Sequence, residues 1–207
     1  MRTSDGTTSD QLAFDRGKKN YDSNQFEDAV KAFLEAIKLV PSNSKYYAWL
    51  SRSYNSLENY TRAMESANRA IQLDSNNSLA YRQRGYVYEK QEQYLDAVQE
   101  YTRAINLDPT EKMAYYRRGH VYDDLDDYIK AIQDFSRVIE LDPKYDFAYY
   151  WRGFMYAYQE NWPKALQDFS KAIELDPEWT NAYKRRAGCY YQQGDFANAV
   201  LDFTQAI

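Results

Sequence analysis

The feature that most constrains this chain is self-similarity at a fixed spacing. The stretch "AYYRRGHVY" at residue 114 returns as "AYRQRGYVY" at 80, "AYYWRGFMY" at 148 and "AYKRRAGCY" at 182, each copy 34 residues from the next. The following half repeats as well, as "DAVQEYTRAINLDP" at 96, "KAIQDFSRVIELDP" at 130 and "KALQDFSKAIELDP" at 164. A chain built this way is a row of one small supersecondary unit, each copy burying its apolar face against a neighbour. Run backwards without insertions, the register gives repeats at 10–43, 44–77, 78–111, 112–145 and 146–179, with a truncated sixth at 180–207. Residues 1–9, small and polar, read as a disordered lead.

Each repeat reads as two helices. In the fourth, Tyr115, Gly119 and Tyr122 fall on one helical face, and Ala131, Phe135 and Val138 do so on the second. The segment "LDP" ends the second helix, because proline lacks the N–H and disfavours helical geometry in the residue before it. Repeat position 8 is small (Gly17, Ser51, Gly85, Gly119, Gly153, Ala187) and position 20 is always alanine. Facing small residues let two helix backbones approach, and aromatics at positions 4, 11 and 17 fill the space around them; position 24 is a further framework position.

This pattern resembles the tetratricopeptide repeat family over residues 10–207. The resemblance implies an all-α, right-handed superhelical solenoid of six helix-turn-helix repeats of 34 residues, the last truncated. It also implies a concave groove, lined by the first helices, that binds a peptide or protein segment. Repeat 2 departs most, with Ser51 for glycine, Ala67 for a large residue and Ser75 for proline, and is expected to be the softest internal repeat.

Fourteen of the 22 tyrosines occupy framework positions and need no further role. The arginines divide. Position 7 holds Arg16, Arg84, Arg118, Arg152 and Arg186, with Leu50 in repeat 2. Sixteen residues later stand Glu100, Asp134, Asp168 and Asp202, whereas repeat 2 has Ser66 and repeat 1 has Ala32. Every acid there accompanies an arginine in its own repeat, which predicts a buried Arg–carboxylate bridge between paired helices.

The positions the family turns toward its groove carry a different set. Expected peptide-binding residues are Trp49, Arg52, Arg82 and Tyr86, then Tyr116 and Arg117. They continue with Phe147, Tyr150, Trp151, Phe154 and Tyr158 in repeat 5 and with Lys184 and Arg185 in repeat 6. Cations outnumber anions at these positions, although the chain carries a formal charge of −5. An aromatic cluster flanked by Arg117 on one side and Lys184 and Arg185 on the other fits a partner with acidic and apolar residues.

Other chemistry is thin. One histidine and one cysteine leave no His-Cys metal cluster and little material for a nucleophilic triad. There is no glycine-rich phosphate loop, and "DDLDD" at 123–127 lacks the glycine and glutamate of a calcium loop. The Lys/Asn pattern by which one subgroup of the family clamps chaperone tails is absent. The expectation is a non-enzymatic interaction scaffold without metal or cofactor, off the membrane and cytoplasmic. Single-stranded RNA binding in the same groove is an alternative, since rings can stack bases and arginines meet phosphates. Self-association through the uncapped last repeat, making a homo-oligomer, is another.

Overall fold

The computed structural model describes residues 8–206, and residues 1–7 of the expected lead lie outside them. The described residues form twelve α-helices in two compact units, residues 1–109 and 110–207. Unit 1 contains α1 (Ser9–Asp22), α2 (Phe26–Leu39), α3 (Ser44–Ser56), α4 (Tyr60–Leu73), α5 (Ser78–Lys90) and α6 (Tyr94–Leu107). Unit 2 contains α7 (Lys112–Asp124), α8 (Tyr128–Leu141), α9 (Asp146–Tyr158), α10 (Trp162–Leu175), α11 (Thr180–Gln192) and α12 (Phe196–Gln205). Each odd helix packs on the even helix that follows it, one pair per repeat, and the fold class is the all-α helical-repeat solenoid.

Local chemistry sets the helix ends. α6, α8 and α10 stop at the leucine of "LDP", and the next residue, Asp108, Asp142 or Asp176, is already extended. Pro163 sits in the first turn of α10, where a missing N–H breaks no intrahelical bond. The turn inside each repeat bends through a left-handed residue: Asn24, Glu58, Glu92, Asp126 and Glu160 have φ of 54–58°, and Gly194 has 76°. The second helix then often starts on a side-chain cap, as where Asp127 accepts from the Lys130 N–H at 3.2 Å.

The close approach of paired helices is where small residues are required. A Cβ on Gly119 would stand 3.0 Å from the Phe135 ring, and Ala131 beneath it is fully buried. Repeat 2 solves the same contact in another way. Ser51 occupies the glycine position and donates its hydroxyl to the Ala63 carbonyl at 2.7 Å, and the facing ring is replaced by Ala67. Its two departures from the pattern compensate each other.

The position-7 arginines form the expected bridges. Arg84 grips Glu100 at 2.8 and 2.9 Å through two nitrogens. Arg118 does the same with Asp134, and Arg152 with Asp168, at 2.8 Å. Arg186 holds Asp202 at 2.7 Å. A third bond leaves the repeat: Arg84 reaches Asn68 at 2.9 Å, Arg152 reaches Ser136 at 3.1 Å and Arg186 reaches Ser170 at 3.0 Å. Each of these guanidiniums therefore pins its own second helix and that of the preceding repeat. Arg16, lacking an acid at Ala32, pairs instead with the exposed Glu35.

Candidate functional site

The position-7 arginines of repeats 3 to 6 also lie over tyrosine rings, at 5.4–5.8 Å; a second class of cation lies over rings without a carboxylate partner. In unit 1, Arg52 stacks on Tyr21 at 4.4 Å and on Trp49 at 4.7 Å, Lys18 stands 5.3 Å from Trp49, and Lys45 stands 4.8 Å from Phe14. None of these three cations has a carboxylate partner among the described residues. Trp49 itself is wedged edge-on to Phe14 and Tyr21. Phe14 is only 1% exposed, so it supports this surface from below. Arg82 and Tyr86 are half-buried on α5, with Lys90 over the Tyr86 ring at 5.4 Å.

In unit 2 the rings form a continuous cluster across α7 and α9. His120 lies 4.6 Å from both Tyr116 and Trp151, edge-on to each. Trp151 meets Phe154 at 5.6 Å, Phe154 meets Tyr158 at 4.8 Å, and Tyr158 stacks flat on Tyr128. Burial first, and the Arg117 charge second, push the His120 imidazole down to about 4, so it is neutral near pH 7. Burial also pushes the Asp123 carboxyl up to about 6, aided by Asp124 and Asp126. The Tyr116 hydroxyl is shifted upward, chiefly by burial.

The structure divides the residues read from sequence. Phe147 and Tyr158 present exposed rings, and Lys184 and Arg185 are exposed on α11. Arg185 lies over Phe154 at 4.3 Å. Trp49, Arg52, Tyr116, Arg117, Trp151 and Phe154 are half-buried. Tyr150 is different: 8% exposed, it stacks on Trp179 at 4.5 Å and meets Phe169 edge-on. Covered in this way, Tyr150 is wall rather than contact surface, as the buried Phe14 is in unit 1.

A cavity of about 290 Å³ opens between α9 and α11. Phe154, Trp162 and Phe169 form apolar walls, Lys184 and Arg185 stand at its rim, and Gly188 leaves one side open. Sequence reading missed Trp162, Trp179 and Gly188. The signal for Gly188 was present: position 9 reads Lys18, Arg52, Tyr86, His120, Phe154 and then Gly188. Trp179 occupies the position that in earlier repeats is Asn43 or Asn77, each of which caps its helix; Trp179 exchanges that bond for ring packing. Among the described residues no cluster of His, Cys, Asp and Glu is placed to hold a metal ion, and no helix is long and apolar enough to cross a membrane.

Family profiles described as tetratricopeptide repeat match residues 14–78, 78–111, 113–145 and 147–178. No curated protein matches the chain in sequence. Among solved structures the chain is similar to YrrB, described as a tetratricopeptide repeat protein with an unusual peptide-binding site. That match has 24% identity and a TM-score of 0.74, and covers 86% of this chain and 92% of that one. MamA is similar at 27% identity and a TM-score of 0.67, covering 78% and 95%. PilF of Pseudomonas aeruginosa has 16% identity and a TM-score of 0.83, covering 93% and 88%, which speaks to the fold alone. With four profile matches that together span most of the sequence, the chain belongs to the tetratricopeptide repeat family.

Proposed function

We propose that the protein is a non-enzymatic interaction scaffold whose ring-and-cation surfaces bind a peptide segment carrying acidic and apolar residues. The observation that carries this reading is the division among the cations. The position-7 arginines of repeats 3 to 6 are held by carboxylates, whereas Lys18, Lys45, Arg52, Lys184 and Arg185 have none among the described residues. A folded chain of net charge −5 has acids available, so cations kept over rings without one leave charge for a ligand. The rings supply apolar contact area and the cations supply orientation, the usual division of labour in a peptide hot spot. The solved relative described with a peptide-binding site is consistent with the same use. A cytoplasmic setting belongs to this reading, resting on the single cysteine.

The test is selection from a random peptide library on the purified chain. Enrichment of segments with Asp or Glu beside an aromatic or aliphatic residue is the expected result. Enrichment of basic segments, or none, overturns the reading. So does tight binding of single-stranded RNA with a steep loss of affinity on adding salt. A mass that rises with concentration, with no peptide selected, would assign these surfaces to self-association instead.

A further inference from the structure

We infer that the cavity between α9 and α11 is a side-chain pocket for one apolar residue of the bound peptide, next to an acidic residue whose carboxylate sits on Lys184 and Arg185. This rests on the peptide-binding reading above and narrows it to one place and one chemistry.

Within unit 2, equivalent repeat positions carry side chains of different size in successive repeats. Between repeats 4 and 5 the corresponding space is full. Phe154, Met155 and Tyr158 of α9 pack against the rings of repeat 4, with Met155 fully buried and Tyr158 flat on Tyr128. One repeat later, the residues in the same positions of α11 are Gly188, Cys189 and Gln192. All three are smaller or more polar, and the volume they give up remains as the cavity of about 290 Å³. A Cβ built on Gly188 meets nothing within 4 Å, so the space is open and not closed by a neighbour's side chain. This glycine is unlike Gly119 or Gly153, whose added Cβ would press on the facing helix. It sits in the middle of a helix, where glycine is the poorest choice short of proline. No packing contact requires it.

The rim changes in step. The two residues that in α9 are Tyr150 and Trp151 are Lys184 and Arg185 in α11. Both are exposed and neither forms an ion pair among the described residues. Arg185 is held over Phe154, which fixes the guanidinium at the mouth of the pocket. Walls of Phe154, Trp162 and Phe169 with two cations at the edge match an aromatic or long aliphatic side chain with a carboxylate one residue away. At about 290 Å³ the cavity lies at the small end of ligand pockets and has room for one large side chain.

The test uses blocked dipeptides on the whole chain, followed by the Gly188 amide in ¹H–¹⁵N NMR, where seven glycines give a sparse region. N-acetyl-glutamyl-phenylalaninamide should shift the Gly188 resonance in a saturable way. The glutaminyl analogue should bind at least severalfold more weakly, and N-acetyl-glutamyl-alaninamide should give no saturable shift. Gly188→Ala should retain binding, while Gly188→Leu, which fills the pocket and favours the helix, should abolish it without lowering Tm. For that variant the probe's effect is read on the Cys189 amide. Binding retained in Gly188→Leu, or an alanyl probe equal to the phenylalanyl one, overturns the pocket; equal binding of the glutaminyl probe overturns the role of the rim. If library-selected acidic peptides bind the wild type and Gly188→Leu equally, the pocket is wrong and the peptide reading stands. If no acidic peptide is selected at all, the reading itself has failed.

Discussion

At the scale of single residues, the molecule uses arginine in two ways, and burial separates them. Arg152 and Asp168 are both withdrawn from solvent, with side chains 20% and 4% exposed. Burial pushes the Asp168 carboxyl upward in spite of its partner, so the pair adds little net stability. Breaking it is another matter, because a lone buried carboxylate remains. Arg152→Leu should cost about 3–5 kcal/mol in urea unfolding. Repeat 2 already carries the joint replacement, Leu50 with Ser66. Arg152→Leu combined with Asp168→Ser should therefore recover most of the loss, and a double variant as unstable as the sum of the singles would refute the pairing. His120 and Asp123 give a second residue-scale expectation. The imidazole falls from 6.5 to about 4 on folding, so its contribution is complete above pH 6.5 and is lost as the pH drops toward 4. Asp123 rises from 3.8 to about 6, so its contribution is complete below pH 3.8 and is lost as the pH climbs through 6. The two oppose each other over nearly the same window. Asp123→Asn should make the chain lose more stability than wild type between pH 6.5 and 4, and His120→Gln should make it lose less. Since the chain has one histidine, imidazole NMR reads the shifted titration without assignment.

At the scale of helices, the controlling contact is glycine against ring. Gly119→Ala brings a methyl to 3.0 Å from Phe135 and should cost about 1–3 kcal/mol by overpacking, despite alanine's better helix propensity. Adding Phe135→Leu should return part of that loss, and additive effects would show the contact to be unimportant. This level was the most legible in sequence. A 34-residue period, small residues at two fixed positions and "LDP" stops are enough to place helix pairs. The bridges could be read because acid and arginine vary together from repeat to repeat. The third bond of Arg84, Arg152 and Arg186 was missed, although Asn68, Ser136 and Ser170 stand sixteen residues before them and Leu34 stands sixteen before Leu50. The site was less legible than the frame. Tyr150 and Phe14 share the groove-facing pattern with Trp151 and Trp49, but whether a ring is wall or surface depends on what lies above it. Trp179 decides that for Tyr150, and Tyr46, stacked at 5.0 Å, does so for Phe14. The cavity could not be seen from any one repeat, because it is a difference between two of them.

At the scale of the whole molecule, an acidic chain keeps a few cations apart from its carboxylates and sets them on rings in both of its units. Unit 1 offers Arg52, Lys18 and Trp49, and unit 2 offers Arg185 beside an aromatic cluster and a pocket. Among the described residues, neither surface holds a cluster of His, Cys, Asp and Glu placed for a metal ion. Net negative charge disfavours polyanionic nucleic acid while leaving local attraction for a short acidic segment. The claim at the centre of this account is that ring-borne cations without a carboxylate partner serve a ligand, whereas the position-7 arginines of repeats 3 to 6, which have both a carboxylate and a ring, serve the fold. The most direct test is to titrate a library-selected acidic peptide into wild type and Arg185→Ala while measuring unfolding free energy on the same samples. The account predicts an affinity at least about tenfold lower, with stability changed by no more than about 0.5 kcal/mol. Unchanged affinity in Arg185→Ala, or a loss of affinity matched by a loss of stability, would contradict it.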